Sequence, residues 1–274
     1  MNLTEIRTVL SEQEIQLTKS LGQNFMHDQN QIRRIVAAAD LGKEDSVVEI
    51  GPGLGPLTEH LLEAAGKVVA IETDRRLINF LEGRFKDADH FELVHADALQ
   101  LICKEERDWS QWKMVANMPY SVASPILVEL AKKRTGPKWI TTTLQLEVGQ
   151  RLVAKPHTKA YGILTLLLKL SYEPRLDFTI PRGCFFPEPR IDSACVSLCR
   201  RPEPLLALEQ ERIFERIVKR GFSQRRKMML KLLKQDWDPD KLEQAYGAAD
   251  LDVKVRAEAV SLEQYIVMTN ILAE

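Results

Sequence analysis

Four consecutive residues, Asn117-Met118-Pro119-Tyr120, carry groups that together can hold a flat ring bearing an amine. The side-chain carbonyl of Asn117 can accept a hydrogen bond from an N–H group. Pro119 has no N–H and a fixed φ, so the turn can direct backbone carbonyls towards a ligand. Tyr120 offers an aromatic face on which a base can stack. Taken alone, the four residues fit an ordinary turn with a tyrosine packed on the core at least as well.

The flanking sequence places this turn at the end of a strand. Residues 113–116 form a short apolar run that is typical of a buried strand, and residues 125–131 have the apolar spacing of a helix. Open α/β sheets bind their ligands at the carboxyl ends of their strands. We therefore expect the turn to lie at a ligand site.

Three other features follow predicted strands in the same way. The loop Gly51-Pro52-Gly53-Leu54-Gly55 lets a ligand approach the backbone closely, because its glycines have no side chains. Glu72 ends the next strand, roughly 20 residues after the first glycine, where an acidic residue meets ribose hydroxyls. Asp97 follows the third strand, where its carboxylate could accept from an adenine amine. Together the three features predict an adenosyl ligand.

The spacing of the glycines weighs against two other ligand classes. The third glycine falls one residue too early for Gly-x-Gly-x-x-Gly, so a nicotinamide or flavin dinucleotide is not indicated. No Gly-Lys-Ser or Gly-Lys-Thr follows the loop, so a phosphate-binding loop is not indicated either.

The alternation of apolar strands and amphipathic helices predicts a Rossmann-like α/β fold with a mostly parallel sheet. The predicted strands are 46–50, 67–71, 91–95, 113–116, 139–144, 176–180 and 191–198; the last two are expected to form a hairpin, which would place one antiparallel strand in the sheet. Residues 2–19 predict a helix and a polar lead-in with little core, and Asp28 predicts a helix N-cap. We expect two domains, a ligand-binding domain over 1–202 and a small all-helical domain over 203–274.

Composition predicts a globular protein in a reducing compartment. The chain has 274 residues, of which 45% are hydrophobic and 28% charged. No run approaches the roughly 18 apolar residues of a membrane span, and no secretory signal is evident, so a cytoplasmic protein is expected. Cys195 and Cys199 would share one face of a strand and are expected to be buried structural thiols rather than metal ligands.

Charge is distributed unevenly along the chain. The net charge of −1 weighs against nucleic-acid binding by the protein as a whole. A basic cluster nevertheless occurs in the predicted helical domain, at Lys219, Arg220, Arg225, Arg226, Lys227, Lys231 and Lys234. Such a cluster is usually a solvated helix face.

These motifs resemble those of the ribosomal RNA adenine dimethyltransferases of the KsgA type, over almost the whole chain. The matching segments are Gly22-Gln23-Asn24-Phe25, Glu49-Ile50-Gly51-Pro52-Gly53-Leu54-Gly55, Glu72, Asp97-Ala98-Leu99, Asn117-Met118-Pro119-Tyr120, Lys159-Ala160-Tyr161-Gly162, Phe185-Phe186-Pro187-Glu188-Pro189-Arg190-Ile191-Asp192-Ser193-Ala194 and Phe222-Ser223-Gln224-Arg225-Arg226-Lys227. The glycine loop is shared by many methyltransferases, whereas the first segment, the Asn-x-Pro-Tyr turn and the last segment together are specific.

The resemblance implies S-adenosyl-L-methionine as methyl donor, without a metal. It places Asn24 and Met26 on the methionine side of the donor, Glu72 on its ribose and Asp97 on its adenine. Gly51 and Gly53 would lie beneath the donor, and Asn117 between donor and target.

The resemblance also implies a product and a substrate-binding surface. The product would be two adjacent N6,N6-dimethyladenosines in the 3′-terminal hairpin of small-subunit rRNA, made by a monomer acting on a pre-30S particle during small-subunit biogenesis. The carbonyls of Asn117 and Pro119 would accept the N–H bonds of the target amine, Tyr120 would stack on the base, and Phe185 or Phe186 would close its other face. Lys219, Arg220, Arg225, Arg226 and Lys227 would contact RNA phosphates.

Several alternatives remain open at this stage. Related large-subunit rRNA adenine methyltransferases confer antibiotic resistance, and DNA adenine methyltransferases share the Asn-x-Pro-Tyr turn but not the basic tail. An assembly factor with little need of its own catalysis would use the same surfaces. A mitochondrial-type transcription factor on this fold would need a targeting peptide, which is not evident. The intact turn favours an active methyltransferase.

Overall fold

The computed structural model describes residues 1–17, 22–104 and 107–274. Residues 18–21, which include the end of the predicted segment 2–19, lie outside the described residues. The chain divides into two compact units. The first comprises Met1–Gly149 and Pro174–Arg200, and the second comprises Gln150–Glu173 and Arg201–Glu274.

A seven-stranded sheet forms the centre of the first unit. The strands of the chain are β1 (Phe25–Met26), β2 (Ser46–Ile50), β3 (Lys67–Glu72), β4 (Phe91–His95), β5 (Lys113–Ala116), β6 (Trp139–Gln145), β7 (Tyr172–Ile180), β8 (Phe185–Phe186) and β9 (Ser193–Arg200). The sheet has the order β4-β3-β2-β5-β6-β9-β7, and β1 pairs separately with β8. The strands from β2 to β6 pair in parallel, and β9 runs antiparallel to β6. The predicted fold class is confirmed.

Helices α1 (Leu3–Glu12) and α2 (Gln29–Ala38) precede β2. The parallel strands are connected by α3 (Pro56–Ala64), α4 (Arg75–Arg84), α5 (Ala98–Lys104) and α6 (Tyr120–Lys132), and α7 (Leu146–Leu152) follows β6. Asp28 caps α2 as predicted, because its carboxylate accepts from the backbone N–H groups of Asn30 and Gln31. Asp74 caps α4 in the same way. The short helix α5 was not predicted from the sequence.

The N-terminal helix contributes more to the core than the sequence indicated. Ile6 of α1 has no exposed surface, and it belongs to one buried cluster with Phe25, Leu54 and Leu77. The expectation of little core in this segment was therefore wrong. Because polar residues surround Ile6 in the sequence, the apolar side of this helix is not evident there. In the structure that side packs with Leu54 of the glycine loop.

The second unit is built from α8 (Ile163–Ser171), α9 (Leu208–Phe222), α10 (Met229–Leu233), α11 (Pro239–Ala248) and α12 (Leu262–Leu272). The domain boundary expected after residue 202 differs from this division, because residues 150–173 belong to the helical unit. Their apolar side chains pack in its core, and the Tyr161 hydroxyl donates to the Val260 carbonyl at 2.8 Å. An apolar helix pattern in the sequence does not by itself show which of two cores the helix joins.

Cys195 is buried, whereas Cys199 is exposed, so the expectation of buried thiols was wrong for Cys199. Within the described ranges, no group of three or more His, Cys, Asp or Glu residues could hold a metal ion. Among the same described residues, no helix is long and apolar enough to cross a membrane.

Candidate active site

One pocket of the first unit collects most of the residues that the sequence singled out. It lies at the carboxyl ends of the parallel strands, where the crossover connections leave the sheet. Its lining includes Asn24, Met26, Gly51, Gly53, Glu72, Asp97, Asn117, Pro119 and Tyr120. Segments that are far apart in the sequence therefore meet at one site.

The glycine loop packs too closely for side chains. Gly51 and Gly53 have φ angles of 69° and 62°, which L side chains rarely adopt. A Cβ atom on Gly51 would lie 3.2 Å from Cδ of Pro119, and one on Gly53 would lie 2.9 Å from Cε1 of Phe25. The glycines thus let this wall of the pocket consist of backbone.

Glu72 is fixed by three backbone N–H groups. Its Oε1 accepts from Thr73 and Asp74 at 2.8 and 2.9 Å, and its Oε2 accepts from Gly53 at 3.3 Å. Burial raises the pKa of the Glu72 carboxyl; these hydrogen bonds oppose the increase without cancelling it. The carboxylate is therefore held rigidly against the glycine loop, where it can accept from ligand hydroxyls.

Asp97 is the exposed acidic residue of the pocket. It follows β4, and its Oδ1 accepts from the backbone N–H of Gln100 at 2.9 Å. In the part of the chain that the structure describes, Oδ2 has no hydrogen-bond partner. That oxygen can therefore accept from a ligand amine.

The amide of Asn117 is held at both of its polar atoms. Its Nδ2 donates to the Asn24 carbonyl at 3.1 Å, and its Oδ1 accepts from the Thr143 hydroxyl. The Asn24 side chain donates in turn to the Gly22 carbonyl at 3.1 Å. Sequence reasoning missed Thr143 because no motif includes it; the predicted neighbouring strands were the only available signal.

Pro119 and Tyr120 begin α6. The Pro119 carbonyl accepts from the Val122 N–H at 3.2 Å, which uses one of its two lone pairs and leaves the other for an external N–H. The Tyr120 hydroxyl lies 2.6 Å from the hydroxyl of Ser193, and burial raises the pKa of Tyr120. Ser193 belongs to a recognised motif, but its contact with Tyr120 was not anticipated. The contact anchors the phenol ring at its outer end.

The two phenylalanines expected to close the pocket lie elsewhere. Phe185 is 2% exposed and packs in the core with Met26 and Ile180. Phe186 packs in the cluster around α1, with the guanidinium of Arg7 5.1 Å from its ring centroid. Neither lines the pocket in this structure, so the expectation that one of them closes it is not met.

Glu49 carries a buried carboxyl group in the pocket wall. The sequence motifs include this residue but assign it no role. It is 1% exposed, and its Oε2 accepts from the Thr58 hydroxyl at 2.7 Å. Burial raises the pKa of Glu49 to about 8, and the negative charge of Glu72 adds to the increase. The pocket therefore has two buried carboxyl groups in its wall, in addition to the exposed one of Asp97.

The basic cluster lies in the second unit, and three of its members are engaged there. Lys219 pairs with Glu215 at 2.6 Å, and Arg220 pairs with Asp236. Arg225 donates to the Lys159 carbonyl at 3.1 Å and to Glu258 at 3.0 Å.

Arg226 and Lys227 differ from these three residues. Both side chains are exposed, and neither has a hydrogen bond or an ion pair to any residue in the described ranges. They are therefore available to an external anion.

A family profile and individual known proteins point to the same family. The profile described as "Ribosomal RNA adenine dimethylase" matches residues 15–274. Ribosomal RNA small subunit methyltransferase A of Clostridium botulinum is 37% identical over 269 residues, which cover 97% of this chain and 96% of that protein. The protein of the same name from Lactiplantibacillus plantarum is 37% identical over 281 residues, covering 99% of this chain and 95% of that protein.

Two solved structures are similar over most of the chain. The 23S rRNA methyltransferase ErmE is 28% identical, with a TM-score of 0.71, and the match covers 91% of this chain and all of that one. A dimethyladenosine transferase from Plasmodium falciparum also gives a TM-score of 0.71, covering 89% and 95%; at 22% identity it supports the fold alone.

The buried carboxyl of Glu49 predicts how stability depends on pH. When folding raises the pKa of a carboxyl group, the free energy of unfolding of the protein falls as pH rises from the pKa of that group in the unfolded chain to its pKa in the folded protein. For Glu49 this interval runs from 4.5 to about 8. Wild-type protein without ligand should therefore lose stability relative to Glu49→Gln over this interval, by an amount on the order of 5 kcal/mol. Urea unfolding at pH 5, 7 and 9 measures the difference.

The control is Glu82→Gln, which removes an exposed carboxyl from α4. A stability difference between wild type and Glu49→Gln that stays constant from pH 5 to 9 would contradict the buried state of Glu49.

Proposed function

The chain belongs to the ribosomal RNA adenine dimethylase family, and from that membership we propose that it dimethylates N6 of two adjacent adenosines in the 3′-terminal hairpin of small-subunit rRNA. It is an S-adenosylmethionine-dependent rRNA adenine methyltransferase. The observation that carries the choice of substrate is the near full-length identity of 37% to proteins named for the small subunit.

The pocket fits S-adenosylmethionine. The rigid carboxylate of Glu72 suits the two ribose hydroxyls, and the free oxygen of Asp97 suits the adenine amine. Gly51 and Gly53 keep the backbone close, because a Cβ atom there would fill the space. The carboxyls of Glu49 and Glu72 give the wall a polarity that favours a cationic ligand.

The bound donor supplies a methyl group that is already activated on a sulfonium. Transfer of this methyl group forms the C–N bond and breaks the C–S bond, which leaves a neutral thioether and releases one proton from N6. Adenine N6 is a poor nucleophile because its lone pair is delocalised into the ring. The Asn117 Oδ1 atom accepts one N–H of the amine, and the second lone pair of the Pro119 main-chain carbonyl accepts the other. These bonds favour a pyramidal nitrogen, and no metal or strong base is needed.

Positioning then supplies most of the acceleration. Holding amine and methyl group in line can contribute roughly 7–11 kcal/mol. Tyr120, anchored by Ser193, stacks on the extruded base and contributes about 1–3 kcal/mol to binding. Extrusion costs a few kcal/mol and is easiest in a hairpin loop. After the first transfer N6 keeps one N–H, so the base turns in the pocket before the second.

RNA binding is assigned to the helical unit. Arg226 and Lys227 contact phosphates directly, whereas Lys219, Arg220 and Arg225 act mainly in ion pairs and hydrogen bonds that shape the surface. We place the enzyme in the cytoplasm, as a monomer that acts on a pre-30S particle during small-subunit biogenesis.

Two alternative functions are less well supported. The similarity to ErmE favours a large-subunit substrate, but at 28% identity it is weaker than the similarity to the small-subunit proteins. A purely structural assembly factor would not need the bonds that hold Asn117 and Tyr120, so these bonds favour catalysis.

The proposed function predicts methyl transfer to small ribosomal subunits. Labelled S-adenosylmethionine is incubated with under-methylated small subunits, large subunits or duplex DNA. We expect N6,N6-dimethyladenosine in small-subunit rRNA alone. Asn117→Ala should lower the rate at least about 100-fold, because the amine loses its acceptor. Asn79→Ala, an exposed asparagine on α4, is the matched control.

Label in large-subunit rRNA or in DNA would contradict the assignment of small-subunit rRNA as the substrate. Tight binding to small subunits without any label would favour the assembly factor.

The ion pairs of the helical unit predict unequal roles for its basic residues. Arg226→Ala and Lys227→Ala should each reduce the slope of log K against log salt by about 0.7–0.9, because each removes one phosphate contact. Filter binding to the hairpin RNA between 50 and 300 mM KCl measures the slope. Lys241→Ala, an exposed lysine on α11, is the control; an equal effect there, or none at Arg226 and Lys227, would contradict the assignment.

A further inference from the structure

Three consecutive threonines of β6, Thr141, Thr142 and Thr143, have no exposed surface. Valine has the same shape and suits a buried strand at least as well. A buried hydroxyl costs free energy unless it is hydrogen-bonded. The partner of each hydroxyl therefore indicates what that hydroxyl does.

The partners of the three hydroxyls differ. Thr142 donates to the Ala116 carbonyl at 3.0 Å, and Thr141 lies next to a serine hydroxyl of β9. Both bonds lie within the sheet. Thr143 donates instead to Oδ1 of Asn117, which lines the pocket.

Strand register explains this contact. β5 and β6 are parallel, and Ala116 lies opposite Thr142. Thr143 is the next residue of β6 and Asn117 directly follows the end of β5, so in the continued register the two residues lie side by side at this edge of the sheet. A hydroxyl at position 143 is therefore built into the sheet beside the turn.

The two ends of the Asn117 amide are held by different kinds of group. The Asn24 carbonyl can only accept, so the amide end that faces it is the NH₂ group. Thr143 then donates to Oδ1 and uses one of its two lone pairs, which leaves the other for an external N–H. Without the Thr143 hydroxyl, a single hydrogen bond at Nδ2 would hold the amide, and its plane could rotate.

We propose that Thr143 is a positioning residue for methyl transfer: its hydroxyl fixes the plane of the Asn117 amide so that Oδ1 meets the amine of the target adenine. This inference rests on the proposed function, because it concerns how Asn117 engages that amine. Thr143 itself does not touch the substrate.

The test compares Thr143→Val, which removes the hydroxyl and keeps the shape, with Thr143→Ser, which keeps the hydroxyl. Thr142→Val removes an equally buried hydroxyl and is the matched control. Thr143→Val should lower kcat about tenfold or more, while KM for the RNA and the affinity for S-adenosylhomocysteine change less than about twofold. Thr143→Ser should restore kcat to within about threefold of wild type, and Thr142→Val should retain it.

Wild-type kcat in Thr143→Val would overturn the proposal, as would equal losses in Thr143→Val, Thr143→Ser and Thr142→Val. Thermal unfolding shows whether each variant is folded. If Thr143→Val does not fold, Thr143→Ala against Thr143→Ser gives the same comparison of a hydroxyl present and absent.

A second readout does not depend on activity. The side-chain amide signals of Asn117 in a ¹H–¹⁵N spectrum are assigned by their loss in Asn117→Ala. In wild type, Thr143→Ser and Thr142→Val they should lie at chemical shifts displaced from those of a solvent-exposed asparagine amide, whereas in Thr143→Val they should move towards those values or broaden. Unchanged signals in Thr143→Val would overturn the inference, whereas an inactive wild type with the expected signals would contradict only the proposed function.

Discussion

The geometry of the pocket depends on how the amide of Asn117 is held. Its nitrogen donates to the Asn24 carbonyl and its oxygen accepts from the Thr143 hydroxyl, so two segments that are distant in sequence fix the side chain of a third. Both bonds follow from the parallel sheet, because β5 and β6 end side by side and the segment before β1 returns across the same edge. An acceptor that is already oriented needs no reorganisation when the reaction begins, which is where preorganised polar groups have their largest effect.

The carboxyl groups impose a second constraint. Glu49 and Glu72 are both buried in the pocket wall, and the pKa of each is raised mainly by burial. Backbone N–H groups hold Glu72, whereas a single hydroxyl holds Glu49. This arrangement lowers the stability of the ligand-free protein at neutral and higher pH. It suits a pocket whose ligand carries positive charge, since the ligand then offsets the repulsion between the two carboxyls.

Much of this site could be predicted from the sequence, because its parts lie at strand ends and strands can be recognised from apolar runs. Glu72, Asp97 and Asn117 were located in that way. Thr143 and Ser193 could not be, since their roles depend on strand register and on which strands are neighbours. The expected role of the phenylalanines was not met for a related reason. Phe185 has the residue type of a stacking partner, but β8 pairs with β1 and the Phe185 ring packs in the core. In the helical unit, charge alone did not distinguish Arg225, held by Lys159 and Glu258, from Arg226.

The most direct test is a crystal structure of the protein with S-adenosylhomocysteine and an RNA hairpin that contains the target adenosines. We expect the N6 atom of one adenosine to lie within about 3.2 Å of Asn117 Oδ1, with its base against Tyr120 and the Thr143 hydroxyl still donating to the same Oδ1 atom. An Asn117 amide turned so that Nδ2 faces the base, or an adenine amine bound by groups other than Asn117, would contradict it.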